Sequence, residues 1–264
     1  MTAVNPTKAN LISWWKLDET SGTRYDAHGS NNLSDINTVG YATGKKGNAA
    51  DFELSNSEHL KINDNASLSF GNESFTCVAW VKFESVDANP TKAILSKWEW
   101  EKNKREYELA KGYGRQKFTF KVSQNGTTEN EVIANTFGDV SAGVWYFVAG
   151  VHDSVNDKLT IYVNDKFDSV SYSSGCNDNT SPFAIGAEFN SGAAYALYDG
   201  LVDEVAIWRR ALTADEISWL YNSGSGRTYE DLFPIKTING IDIAKVKTIN
   251  GVDIGKVKSI WGIQ

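Results

Sequence analysis

The chain has 264 residues and a net charge of −7 at pH 7; 41% of its residues are hydrophobic and 12% are aromatic. This apolar content is enough for a substantial core and argues against a disordered chain. The acidic balance argues against nucleic acid or an anionic membrane as the main partner, because both attract basic patches, and no apolar run is long enough to span a bilayer.

Two features of the sequence bear on the compartment in which the protein acts. Residues 1–15 lack the charged, apolar and small-residue regions of a secretory signal peptide. We therefore expect either a protein used without signal-directed export or a chain whose leader is missing. Cys77 and Cys176 are too few for a disulfide framework. Cys77 fits a buried thiol in a strand, and its pairing with Cys176 stays open.

Short segments of alternating apolar and polar residues follow one another through most of the chain. Strands are predicted at 11–17, 74–83, 93–98, 105–109, 117–124, 131–135, 144–151, 159–163 and 183–186. Residues 19–48 are rich in glycine, asparagine, serine and aspartate, which indicates loops around short strands. Asn125 and Gly126 predict a hairpin turn. Many short strands with a single good helix predict an antiparallel β-sandwich.

Residues 199–221 predict a strand followed by that helix. Strict alternation places Asp203 on one face of the strand and Glu204 on the other, each among apolar neighbours. Whichever face is the core, one carboxylate is buried, which is costly unless a cation or several donors satisfy it. Thr213 is the predicted N-cap, and Glu216, three residues on, completes a capping box.

Six motifs occur in an order typical of one protein family. They are WWKLDETSG at 14–22, GKKGNAADF at 44–52, SFTCVAWV at 74–81, GVWYFVAG at 143–150, LTIYVN at 159–164 and DGLVDEVAIWRRALTADEI at 199–217. Together they resemble the laminin G-like, or concanavalin A-like, jelly-roll modules. The resemblance covers about residues 10–225. It implies an all-β antiparallel jelly-roll sandwich with one short C-terminal helix, and we assign residues 1–233 to this domain.

A repeat with a period of eleven residues fills the C-terminal segment, 234–264. Its copies are KTINGIDIAKV at 236–246, KTINGVDIGKV at 247–257 and the shortened KSIWGIQ at 258–264. Each copy reads strand, Asn-Gly turn, strand, which predicts small β-hairpins. Units this small cannot bury a face alone. We therefore expect them to pack on the sandwich, on each other or on another chain. They resemble repeats that close many phage structural proteins.

The resemblance also implies a structural Ca²⁺ ion that joins the first loops to the last strand. The matching ligands are Asp18, the carbonyl of Gly47 and Asp203, with Asn48 as an alternative to Gly47. Asp26 or Asp51 can replace one of them. Carboxylates and carbonyls from irregular backbone are the ligands that Ca²⁺ prefers. The competing interpretation is that backbone donors or a basic side chain hold Asp203, with Asp18 simply at the surface.

A group of aromatic and basic residues in the least typical part of the chain suggests a sugar-binding site. Sugar sites combine aromatic faces with a few polar groups in a concave groove. The candidate residues are Trp98, Trp100, Tyr107, Tyr113 and Arg115. Asn190 and Tyr195, in the 187–198 loop, are further candidates. The competing interpretation is core packing or, for the two tryptophans, packing against the C-terminal repeats.

Catalytic motifs are absent from the sequence. Glycoside hydrolases that share the implied fold carry Glu-x-Asp-x-Glu on one strand, and this spacing does not occur. Four glutamates between 99 and 108 alternate, but they bracket lysine and arginine residues and indicate a solvated hairpin. There is also no phosphate loop, zinc spacing or nucleophile elbow. We therefore expect no enzymatic activity.

The sequence supports three functional hypotheses. The first is a non-catalytic carbohydrate-binding and structural module on the surface of a phage virion, which contacts glycans and joins other virion proteins or its own copies through residues 235–264. The second is a secreted bacterial adhesin or a carbohydrate-binding accessory module. The third is a purely architectural virion protein without glycan binding. None of the three involves nucleic acid or membrane insertion.

Overall fold

The computed structural model describes residues 3–87 and 89–233, together with the backbone of four two-residue strands beyond them. Contacts divide the chain into two compact units, Met1–Tyr229 and Glu230–Gln264. No helix among the described residues has the length and apolar character needed to cross a membrane.

The first unit consists mainly of short strands. In chain order they are β1 (Leu11–Trp15), β2 (Ser34–Ile36), β3 (Gly40–Thr43), β4 (Asn48–Phe52), β5 (His59–Ile62), β6 (Phe75–Phe83), β7 (Lys92–Glu99), β8 (Lys104–Lys111), β9 (Phe118–Val122), β10 (Asn130–Ile133), β11 (Trp145–Asp153), β12 (Lys158–Val163), β13 (Lys166–Ser171), β14 (Phe183–Ile185), β15 (Glu188–Asn190), β16 (Ala193–Tyr195) and β17 (Gly200–Trp208). One α-helix, α1 (Ala214–Tyr221), follows the last of these strands. Short 3-10 turns occur at Leu54–Asn56, Ala66–Leu68, Asn222–Gly224 and Tyr229–Leu232.

These strands form two sheets. The first has the order β13-β12-β11-β6-β17-β4-β3, and β1 also pairs with β17. The second has the order β10-β9-β8-β7-β14-β5-β2, with the β15–β16 hairpin attached to β7. Pairing is antiparallel throughout except between β15 and β7. The predicted all-β antiparallel sandwich with one short helix is therefore confirmed.

The hydrophobic core lies between the sheets. On β6 the alternate residues Phe75, Cys77, Ala79 and Val81 belong to the core cluster, as the apolar pattern of this strand predicts. The second sheet contributes its own inward side chains, among them Tyr107, Leu109, Phe118, Phe120 and Val122. A fully buried side chain of this size stabilises the fold by roughly 1.5–3 kcal/mol.

The predicted strict alternation along β17 is wrong. Its pairing with β6 shifts register between Asp203 and Ala206, and Glu204 has a left-handed φ of 47°. These features mark a β-bulge, in which an extra residue reverses the alternation that follows it. Val205, rather than Ala206, therefore returns to the core, and Asp203 and Glu204 are both buried.

The helix follows the prediction closely. The Thr213 side chain accepts a hydrogen bond from the Glu216 amide at 3.3 Å, and the Glu216 carboxylate accepts one from the Thr213 amide at 2.8 Å. These two bonds are the predicted capping box. Tyr221 stacks on Trp80 with ring centroids 6.0 Å apart. The helix therefore covers the outer side of the first sheet.

Two smaller predictions concern a turn and the cysteines. Asn125 lies in the β9–β10 hairpin, as predicted, and its Oδ1 accepts the amides of Thr127 and Thr128. Cys77 and Cys176 are free, buried thiols. Burial raises the pKa of Cys77 to about 12, so this thiol is inert at neutral pH.

The second unit contains two short antiparallel strand pairs. Thr237–Ile238 pairs with Ile241–Asp242, and Thr248–Ile249 pairs with Val252–Asp253. These pairs fall in the first two sequence repeats and flank their Asn-Gly dipeptides. The dipeptides themselves and the third copy lie outside the described residues.

Candidate functional site

A cleft of about 420 Å³ lies on the side of the second sheet that faces away from the core. Its floor includes Glu108 and Lys121, a cross-strand pair of β8 and β9 whose sequence neighbours Tyr107, Leu109 and Phe120 point inward. The residues that line the cleft are Thr91, Trp100, Glu101, Tyr113, Lys121, Glu129, Glu188, Asn190 and Tyr195.

The β15–β16 hairpin brings three of these residues to one wall. Glu188 lies opposite Tyr195, and Asn190 follows Glu188 on the same face of its strand. The hairpin turns at Ser191 and Gly192, which both have positive φ, as a tight turn matched to the strand twist requires. The hairpin therefore fixes the spacing of a carboxyl, an amide and an aromatic ring.

Trp100 is held in place by several contacts. Its amide donates to the Phe189 carbonyl at 3.0 Å, and its indole Nε1 donates to Glu188 Oε1 at 3.0 Å. The guanidinium of Arg105 covers one ring face, with Cζ 3.9 Å from the ring centroid. Trp98 contacts the ring edge-on at 6.3 Å between centroids. The orientation of the ring is therefore set before any ligand arrives.

Buried charges form the floor of the cleft. Lys121 Nζ lies 3.0 Å from Glu108 Oε2 and 3.6 Å from Glu129 Oε2. Although burial disfavours its charge, these carboxylates raise the pKa of Lys121 above its ordinary value. Lys121 therefore stays charged and compensates Glu108.

Glu188 is the second buried carboxyl of the floor. It is 2% exposed, and Glu108 lies near enough for its charge to act on this carboxyl. Burial, together with the charge of Glu108, raises the pKa of Glu188 well above its usual range. This raised pKa favours the protonated, uncharged form of Glu188 at neutral pH. Lys121 offsets the charge of Glu108, so these three groups together are close to neutral.

The predicted sugar-binding residues have different locations. Trp100 and Tyr113 line the cleft, as do the further candidates Asn190 and Tyr195. Trp98 is fully buried beneath Trp100, and it supports the site without a free face.

Two other predicted residues do not line the cleft. Tyr107 lies in the core, where its hydroxyl donates to the Leu68 carbonyl at 2.9 Å, so its ring cannot stack on a ligand. Arg115 forms an ion pair with Glu131 at 2.7 Å instead of lining the cleft. The packing of tryptophans against the C-terminal repeats falls outside the described side chains.

The sequence reasoning missed the polar floor. The alternating glutamate pattern places Glu108 in a solvated hairpin, and this expectation is wrong, because the residue is fully buried. Glu188 follows the apolar run at 184–187. A carboxylate at the end of such a run was the available signal, because it is costly to bury without a partner.

The predicted metal ligands lie together around the turn at residues 44–48. Asp203 Oδ2 accepts the Lys46 amide at 2.8 Å, and Asp18 Oδ1 accepts the Asn48 amide at 2.9 Å. Gly47, with φ of 54°, lies so close to Asp18 that a Cβ would clash with its carboxylate. Burial raises the pKa of Asp203 to about 8, against the effect of backbone amides.

One oxygen of this group tests whether a cation fits. Asp203 Oδ1 is buried and has no hydrogen-bond partner among the described residues. The Lys46 amide holds Oδ2, as the competing interpretation of Asp203 requires, but it leaves Oδ1 unsatisfied. A donor set of two carboxylates beside irregular backbone fits a hard cation such as Ca²⁺. The Gly47 carbonyl already accepts the Gly44 amide at 3.0 Å, so it has one lone pair left for an ion.

The two alternative Ca²⁺ ligands, Asp26 and Asp51, have other contacts. Asp26 accepts amides of the loop at 28–31 and of Trp14, and so organises that loop. Asp51 lies in a separate acidic group with Glu53 and Glu84, whose ligand atoms are within 4.8 Å of one another.

The family described as the concanavalin A-like lectin/glucanases superfamily matches residues 54–218, more than half of the chain. The chain belongs to this superfamily. No curated protein sequence matches this chain.

Solved structures similar to this chain include the following three. The first is the binding domain of Paraclostridial Mosquitocidal Protein 1 (TM-score 0.64, 17% identity, 81% of this chain and 52% of that one). The second belongs to botulinum neurotoxin type C, whose cell entry depends on two ganglioside molecules (TM-score 0.60, 16% identity, 81% of this chain and 51% of that one). The third is domain 4 of AbnA, a GH43 extracellular arabinanase from Geobacillus stearothermophilus, in complex with arabinotriose (TM-score 0.52, 20% identity, 80% of this chain and 97% of that one). The chain spans about half the length of the two toxin structures, and these identities show a shared fold.

Proposed function

We propose that the protein is a non-catalytic carbohydrate-binding module and that the cleft on the second sheet is its binding site. The observation that carries the proposal is the combination of Trp100, Tyr113 and Tyr195 with Glu188 and Asn190 in one cleft. Aromatic rings provide flat apolar surfaces for sugar rings, and a few fixed polar groups pair with hydroxyls.

The aromatic side chains of the cleft differ in their exposure and in their contacts. Tyr113 and Tyr195 are 64% and 48% exposed, which is unusual for such large rings and leaves apolar surface for a ligand to cover. Trp100, by contrast, is fixed by Glu188 and Arg105. A fixed ring loses little entropy on binding, so Trp100 is the expected anchor.

The absence of catalysis is part of the proposal. Glycosidases place their two carboxyl groups about 5–9.5 Å apart, on either side of the scissile bond. Glu108 is fully buried and is not one of the residues that line the cleft, and Glu188 is 2% exposed. These two carboxyl groups therefore cannot flank a sugar bond, which supports a binding role.

The structural relatives support carbohydrate as the ligand class. One of them was solved with arabinotriose, and another comes from a toxin whose cell entry depends on gangliosides. The match to the arabinanase domain covers 97% of that domain, and it favours a second candidate setting, an accessory module of a polysaccharide-degrading system.

For the setting we propose the surface of a phage virion. The C-terminal repeats favour it, because small hairpin units need a partner surface, either another virion protein or a second copy of the chain. Flanking genes for virion components would support this setting, whereas neighbouring polysaccharide lyases and transporters would favour the secreted accessory module. Deletion of residues 235–264 is expected to leave a monomer, and an unchanged oligomer by light scattering would argue against assembly through the repeats.

We also propose a structural Ca²⁺ ion held by Asp18, the Gly47 carbonyl and Asp203. The ion would supply positive charge to the unsatisfied Asp203 Oδ1. Its expected role is to stiffen the turn between the first loops and β17, remote from the sugar chemistry.

A glycan array followed by calorimetric titration tests the binding function. Trp100→Ala is expected to weaken binding about thirtyfold, because truncation of a central aromatic anchor costs about 2 kcal/mol or more. The matched control is Phe167→Ala on β13, since this ring is 50% exposed but belongs to the other sheet. Silence of the folded wild-type protein across a broad array would contradict the proposal and favour the architectural role.

A further inference from the structure

We infer that the cleft selects neutral sugars and rejects sialylated or uronic ones, an inference that rests on the proposed binding function. The cleft contains aromatic surface, buried acceptors and carboxyl groups, but no basic group that is available to an anionic ligand among the described residues. The charges of the lining residues and of their neighbours carry the argument.

Lys121 is the only basic side chain among the described residues that line the cleft. Its ammonium group is already shared between Glu108 at 3.0 Å and Glu129 at 3.6 Å. A ligand carboxylate would have to compete with both partners, and displacement of the fully buried Glu108 would leave that carboxylate without its counter-charge. Breaking a buried ion pair in this way is strongly unfavourable.

The basic side chains beside the cleft are engaged as well. Each pairs with a glutamate: Arg105 with Glu129 at 3.8 Å, Lys102 with Glu99 at 2.8 Å, and Arg115 with Glu131 at 2.7 Å. Arg105 is further fixed over Trp100. Recognition of a carboxylate normally uses an arginine that is free to form two parallel hydrogen bonds, and none of these groups is in that state.

The acidic groups have the opposite effect. Glu101 and Glu129 line the cleft and are close to where a ligand would lie. Glu101 is exposed, and no described cation pairs with it. An anionic sugar in the cleft would therefore meet the uncompensated carboxylate of Glu101, and such like-charge contacts are a strong source of discrimination between ligands.

The unsatisfied polar atoms of the cleft match neutral hydroxyl groups. Asn190 Oδ1 is buried without a hydrogen-bond donor among the described residues. Glu188 Oε1 is already fixed by Trp100 and keeps a second lone pair for a donor. Sugar hydroxyls donate hydrogen bonds without bringing charge, so they satisfy these acceptors and leave the floor neutral.

The test compares lactose with 3′-sialyllactose, and a neutral oligosaccharide series with its uronic counterparts, by array and calorimetry on the full chain. Every acidic sugar is expected to bind at least about tenfold more weakly than its neutral counterpart. Glu129→Gln, which removes one carboxylate partner from both Lys121 and Arg105, is expected to narrow this gap, while Asp165→Asn, an exposed change in the β12–β13 turn, leaves it unaltered.

The outcomes separate the two proposals. If the wild-type protein binds acidic sugars tightly and Trp100→Ala abolishes this binding, the proposed selectivity is overturned but the proposed binding function is supported. No binding of either class would overturn both. Neutral binding that is lost in Trp100→Ala, with a gap that narrows in Glu129→Gln, supports both.

Discussion

Substitution of Asp203 by asparagine tests the physical basis of the bulge in β17. The carboxyl is fully buried, and its pKa is raised from 3.8 to about 8. Since the folded-state pKa is raised, the stabilising protonated form is fully present below about pH 3.8. The contribution is then lost as pH rises through about 8.

The magnitude follows from the size of this shift. Each pKa unit corresponds to about 1.4 kcal/mol. Between pH 4 and 7, and without a cation, Asp203 ionises in the unfolded chain but stays protonated in the folded one, which lowers the unfolding free energy by about 4 kcal/mol. The asparagine amide in Asp203→Asn would keep an oxygen for the Lys46 amide and cannot ionise. In EDTA, this variant is therefore expected to exceed the wild-type protein in stability at pH 7–8 and to show a flatter pH profile.

Added Ca²⁺ is expected to reverse this order. An ion that binds only the folded chain stabilises it by about 2.7 kcal/mol at one hundred times its dissociation constant, and it requires the ionised carboxylate. The wild-type protein should gain stability in CaCl₂, whereas Asp203→Asn should not.

The assay is urea denaturation in EDTA and in CaCl₂ from pH 5 to 9, with the exposed Asp165→Asn as the control. Two results together would refute this account: the wild-type protein and Asp203→Asn have the same pH profile of unfolding free energy, and Ca²⁺ does not stabilise the wild-type protein. A pH effect without a Ca²⁺ effect would retain the buried carboxyl and reject the ion.

Three further predictions concern other parts of the fold. Thr213→Ala should lower the unfolding free energy by about 1 kcal/mol in urea denaturation, because it removes the capping box, and Thr213→Ser should retain most of it. Gly150→Ala should cost about 1–3 kcal/mol, since the new methyl group would enter the ring of Phe120, and an unchanged urea midpoint would contradict the packing described. Glu188→Gln should flatten the loss of stability that the wild-type protein shows as pH rises above 4.5, because burial raises the pKa of this carboxyl; identical pH profiles of the two proteins would contradict the raised pKa.

Local chemistry explains why much of the fold was predictable. The capping box depends on residues three positions apart, and the apolar alternation of β6 depends on a single strand. The bulge at Asp203 was not predictable, because it arises from the register between β17 and β6, whose residues are distant in sequence. A strand pattern alone does not show where an extra residue is inserted.

The candidate binding site was also only partly predictable from the sequence. Trp98 and Trp100 are two residues apart and equally aromatic, yet one is fully buried and the other lines the cleft. The difference is that Trp98 lies within β7, whereas Trp100 lies beyond its end. The floor is harder still to predict, because Glu108 and Glu188 come near each other only when β15 is brought beside the second sheet.

The hydrogen bond between Trp100 and Glu188 joins groups 88 residues apart in the sequence. Neither the 92–122 segment nor the 183–195 segment alone contains both the ring and the acceptor that orients it. The proposed sugar site is therefore complete only when both segments are folded against each other. A truncated or proteolytically nicked chain that lacks either segment is expected to lose the proposed glycan binding, even where its remaining strands stay paired.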